Sequence, residues 1–142
     1  MKVGQLLAHL EELEAALADD LRAVAERHRD DHDVYHQCQT FAVTAEKRVQ
    51  ALGPLRRRYE GKALWSTALG EGAADLLEDL RWIYLRSQEA GITWVMAAQV
   101  AKAARDKKLL SLATDCQTEV ELQAKWFTTR IKTGAPQALV VG

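Results

Sequence analysis

Apolar residues return along this chain with the three-four alternation of an α-helix, in four long stripes that almost nothing interrupts. The first runs through Leu6, Leu10, Leu13, Leu17, Leu21 and Val24, with Glu11, Glu12, Asp19, Arg22 and Glu26 off it. The second passes through Val34, Cys38, Phe41, Ala45, Val49 and Leu52, and the third through Leu76, Leu80, Ile83, Tyr84, Ser87, Gly91, Trp94, Ala98 and Ala101. The fourth is Leu109, Leu112, Cys116, Val120, Gln123, Phe127 and Ile131. No segment alternates with the period of a strand. Only two prolines and eight glycines punctuate 142 residues, so the helices are expected to be long.

The boundaries carry chemistry of their own. Arg29-Asp30-Asp31 closes the first stripe and supplies an Asp to cap the second helix; Arg105-Asp106 does the same between the third and fourth. Gly53-Pro54 is a normal stop for the second helix, the alternative being a kinked helix that continues to Tyr59. From Gly61 to Gly72 the chain is mixed and reads as a connection with one helical turn. Lys132-Thr133-Gly134-Ala135-Pro136 reads as the end of the fourth helix. The expected architecture is all-α: an antiparallel four-helix bundle over residues 1–134, two helical hairpins joined by a longer connection, then an uncharged tail over 135–142.

Composition narrows the function classes. Nineteen Lys and Arg balance twenty Asp and Glu, giving a net charge of -1, so no global basic excess draws the chain to nucleic acid or an anionic membrane. The most apolar stretch, Ala90 to Ala104, is broken by Thr93, Gln99 and Lys102 and is too short to span a bilayer. Cys38 and Cys116 lie at helical spacing among apolar residues and read as buried thiols of a reduced, cytoplasmic protein. Ser66, Ser87 and Ser111 lack nucleophile-elbow surroundings, and there is no phosphate-loop or dinucleotide-binding glycine motif. No catalytic residue is nominated.

The two hairpins, the longer connection and the stretch from Gln88-Glu89-Ala90-Gly91 to Ala104, followed by Asp106-Lys107-Lys108-Leu109-Leu110, resemble the ferritin-like superfamily. Within it the chain is most similar to the bacterial stress-associated ferritin-like proteins of the YciE/YciF type. That resemblance implies a di-iron carboxylate centre built from Glu-x-x-His on two helices and a lone Glu on each of the other two. The motif is missing: no histidine follows any glutamate by three places, and Thr44-Ala45-Glu46-Lys47-Arg48-Val49 has valine where the resemblance calls for a ligand.

Two readings of different class follow. The first is a non-catalytic bundle, a homodimer or larger homo-oligomer, acting through self-association or an unknown protein partner, with Trp82, Gly91, Trp94, Ala98 and Ala101 at the interface. It needs no cofactor. The alternative is an atypical site for iron or another transition metal, drawn from His32, His36, Glu46, Glu89 and Glu119, because imidazole and carboxylate suit such ions. On the plain reading the three glutamates are interhelical salt-bridge positions, with Arg48, Arg81 and Lys125 as partners. Arg56-Arg57-Arg58 is a possible site for a phosphate or an acidic partner, or a run of cations that favours the helix C-terminus.

Overall fold

The computed structural model describes residues 2–63 and 75–141. Four helices carry the four stripes: α1 (Val3–Arg27), α2 (His32–Arg58), α3 (Leu76–Ala103) and α4 (Lys107–Pro136). Both expected caps form. Asp31 accepts from the Val34 backbone N–H at 3.2 Å and Asp106 from that of Leu109 at 3.0 Å, each satisfying an orphan donor of the first turn. Asp75 caps α3 through the Glu78 N–H at 3.2 Å.

Side-chain pairs establish the directions. Glu14 with Trp94, Asp20 with Arg86 and Arg27 with Asp79 run α1 antiparallel to α3. Asp31 with Arg130, Arg48 with Glu119 and Tyr59 with Asp106 run α2 antiparallel to α4. Each hairpin is antiparallel within itself, so α1 lies parallel to α4, and α2 to α3. The end of α2 and the start of α3 therefore stand at opposite ends of the bundle, about 37 Å apart for helices of this length. The α1/α2 and α3/α4 seams are the closest packed, α1 against α3 comes next, and α2 against α4 is the sparsest.

The core is built on α1, whose Leu7, Leu10, Leu13, Leu17 and Leu21 are all fully buried together with Leu52, Leu80, Ile83, Trp94, Leu109 and Phe127. Phe41 is half-buried and meets Trp126 edge-on, with ring centroids 5.9 Å apart. Gly4 and Gly61 allow the chain leaving α2 to cross the first turn of α1, where a Cβ on Gly4 would overlap the Glu60 carbonyl.

Two expected boundaries move. Gly53-Pro54 does not end α2: as in the alternative reading the helix continues, to Arg58, with Pro54 inside it on the exposed side, where a missing N–H is tolerated. Gly134-Ala135-Pro136 does not end α4 either: the helix runs to Pro136 and widens into a π-helical turn over Gln137–Val141. The tail is thus a helical extension, and its Leu139, Val140 and Val141 are exposed. The expected helical turn between Gly61 and Gly72 falls mostly outside the described residues.

Replacing Leu80 by Ala should cost about 2–5 kcal/mol in urea unfolding, the range for an emptied core site. Gly4→Ala should also destabilise, through displaced backbone rather than a cavity; an unchanged midpoint would show that the crossing at Glu60 yields freely.

Candidate functional site

The five residues of the metal alternative are dispersed. His32 and His36 are exposed on the first turns of α2, their rings stacked with centroids 6.2 Å apart. Glu46 takes the guanidinium of Arg22, Glu89 accepts from Arg86 Nη1 at 3.2 Å, and Glu119 from Arg48 Nη1 at 2.5 Å. Of the expected partners only Arg48 serves; Arg22 and Arg86 stand in for Arg81 and Lys125. Among the described residues no group of three or more His, Cys, Asp or Glu side chains converges in a way that would hold a metal ion.

The expected interface residues divide. Trp94, Ala98 and Ala101 are buried inside the single chain, so their area is already removed from water and none is left for a partner. The reason is register: α3 turns these positions toward α1 and α4 together, and the small residues admit the neighbouring helices. Gly91 is half-buried, and a Cβ there would lie 3.7 Å from Val120 Cγ1, in ordinary contact. Trp82 is half-buried beneath the Arg86 guanidinium, 5.3 Å above its ring. Apolar area left in water among the described residues lies elsewhere, on Val43, Leu85, Ile92 and Leu122 and, most exposed, on the 139–141 tail.

Midway along the bundle the core turns polar. Glu14 of α1 is wholly buried, and Arg48 of α2, 3% exposed, donates to it through Nε. The same guanidinium reaches Glu119 of α4, and Trp94 Nε1 of α3 donates to Glu14 Oε1 at 3.5 Å. All four helices thus contribute one side chain to a single level. Burial pushes the Glu14 carboxyl above its ordinary 4.5, against the pull of Arg48, while the two glutamates keep Arg48 firmly protonated. Cys116 lies beside this network, and burial raises its thiol to about 12; Cys38 is raised to about 12 for the same reason. Neither is a ready nucleophile.

Glu14 lies outside the Leu6–Val24 stripe of α1. The signal was there: Leu7, Glu14, Ala18, Leu21 and Ala25 form a second row at helical spacing, and all are buried. A carboxylate inside such a row needs a partner, and the arginine inside the α2 row provides it.

At the two ends, single buried aspartates tie elements together. Asp79 accepts from Arg27 Nη2 at 2.9 Å and Nε at 3.0 Å and lies 2.7 Å from His28 Nε2. Asp106 accepts from Tyr59 at 2.8 Å and lies 3.4 Å from Arg58. The Leu109 N–H, with Tyr59 and Arg58, holds the Asp106 carboxyl below its ordinary value.

The chain matches no protein-family model, no curated protein and no solved structure.

Arg48→Met should cost about 3–5 kcal/mol in denaturant unfolding, because it strands the buried Glu14 carboxylate; pairing it with Glu14→Leu should recover most of that loss. A single-variant loss below about 1 kcal/mol would show that Glu14 finds another partner. The proton held by folded Glu14 is released by the unfolded chain as pH rises through 4.5, so this group lowers stability as pH climbs toward its raised folded value. Glu14→Gln should flatten that part of the stability profile.

Proposed function

We propose that this chain is a non-catalytic ferritin-like helical bundle that acts through self-association or protein contacts. The observation that carries the reading is Arg48. In a ferritin-like bundle, inward carboxylates of the four helices gather around a metal cation near mid-length. Here the mid-length carboxylates, Glu14 and Glu119, are gathered around a guanidinium instead, and Trp94 occupies the α3 position at that level. An arginine cannot be deprotonated to make room, so the carboxylates are already neutralised by a cation that is part of the chain.

Helix directions support the resemblance. A bundle with α1 and α4 parallel, and α2 ending opposite the start of α3, has the one long crossover that ferritin-like folds use. Support for self-association comes from the uncharged terminal extension, where Leu139, Val140 and Val141 are each at least 75% exposed. Three consecutive large apolar side chains left in water are best removed from it by a second copy, and a twofold dimer is the commonest arrangement. The free, buried thiols of Cys38 and Cys116 fit a reducing, cytoplasmic setting.

Light scattering of the purified protein at micromolar concentration should return about twice the chain mass, and a chain ending at Pro136 should return the monomer. A full-length monomer at high concentration overturns the self-association. Elemental analysis should find no stoichiometric iron; iron bound at two atoms per chain and lost when Glu46 and Glu119 become Ala would instead establish the metal alternative.

A further inference from the structure

Although the whole chain carries almost no net charge, its cations are unevenly placed. The end of the bundle where α2 and α3 finish and α4 begins carries Arg57, Arg58, Lys102, Arg105, Lys107 and Lys108, all exposed. Among the described residues only Arg58 of these six has an ion-pair partner, the buried Asp106. Arg105 is held at φ 53°, in the left-handed region that favours glycine. The Arg56-Arg57-Arg58 run is thereby brought beside Lys107-Lys108, about fifty residues away in sequence, by the Tyr59–Asp106 hydrogen bond.

Just inside that tie, the sparse α2/α4 seam opens into a cleft of about 400 Å³, lined by Ala51, Pro54, Leu55, Arg58, Lys108 and Leu112. The volume lies within the range of small-molecule sites. Its only charged groups are two cations at one end, and everything else on its walls is apolar. Pro54, inside α2, contributes a rigid apolar part of the wall. The Tyr59–Asp106 hydrogen bond and the Arg58–Asp106 contact pin the two helices at the mouth, so the cleft has a set width. Farther along the same seam Lys47 and Arg48 enter the wall together with Asp115 and Glu119, so charge is balanced there. The cations with no carboxylate in the lining are Arg58 and Lys108, and an anion belongs at that end.

We propose that the α2/α4 cleft binds a small anionic amphiphile, one phosphate or carboxylate head between Arg58 and Lys108 and an apolar body along Leu55, Pro54 and Leu112. The pairing follows from the lining alone: two cations match the head, and apolar walls match a chain that water expels. The site is separate from the Glu14–Arg48–Glu119 network and from the apolar tail, so it stands whether or not the chain self-associates.

Calorimetric titration of the full chain with dodecyl phosphate, below its micelle concentration, tests this. Saturable binding of one molecule per chain is expected, with dodecanol and inorganic phosphate each weaker by about tenfold or more, since each offers only half of the recognition. Lys108→Glu, a change at an exposed position, should weaken binding by a similar factor while leaving the thermal midpoint in place; Leu112→Trp, which fills the cleft, should abolish it. Equal affinity for dodecanol would overturn the role of the cations, and equal affinity for inorganic phosphate that of the apolar wall. Absence of saturable binding, or binding to anionic vesicles with none to monomeric dodecyl phosphate, would overturn the site.

Discussion

The first helix has to satisfy two neighbours at once, and the rest of the molecule follows from that. Packed against α2 on one side and α3 on the other, α1 buries two adjacent rows of side chains rather than one, including every leucine from Leu6 to Leu21. Each fully buried leucine removes apolar surface worth roughly 2 kcal/mol from water. A helix committed this way leaves α4 to close against α3 and leaves the α2/α4 seam comparatively open. The one sparse seam, and the cleft in it, are consequences of how completely α1 is used.

The same crowding explains the polar level at mid-length. Glu14 lies in a row that has no exit to solvent, so its charge is tolerable only with a cation delivered by a facing helix. Arg48 is that cation, and its reach to Glu119 joins α1, α2 and α4 while Trp94 completes the level from α3. Buried ion pairs of this kind add little net stability against a well-packed apolar alternative, but they penalise every register that separates the partners. Asp79 and Asp106 do the equivalent at the two ends, each holding two adjacent residues at the end of one facing helix: Arg27 and His28 of α1 and its flank, and Arg58 and Tyr59 of α2 and its flank. Three polar ties along the length thus fix how the hairpins slide past each other.

Much of this is legible in the residues alone. The four stripes place Leu10, Leu17, Leu80 and Phe127 in the core because helical period alone decides which side chains share a face. Asp31 and Asp106 were legible as caps because a short acceptor before an apolar row has one local use. Gly134-Ala135-Pro136 does not stop α4, and at Gly53-Pro54 the alternative of a continuing helix holds, since local breaker signals weigh less than the packing that carries α2 to Arg58 and the wider turn that carries α4 onward. That Trp94 is core and not area for a partner is not legible, because one stripe cannot tell how many neighbours a helix has.

What the sequence by itself determined is everything that depends on near neighbours along the chain: helix period, the acidic caps, the free thiols, and the missing Glu-x-x-His. Only the tertiary structure decided which charges meet. Glu14 meets Arg48 across the first hairpin, while Arg27 and His28 with Asp79, and Arg58 beside Lys108, join residues of different hairpins. A carboxylate's partner is set by the distance through space at which Coulomb attraction outweighs desolvation, and that distance exists only once the helices have packed.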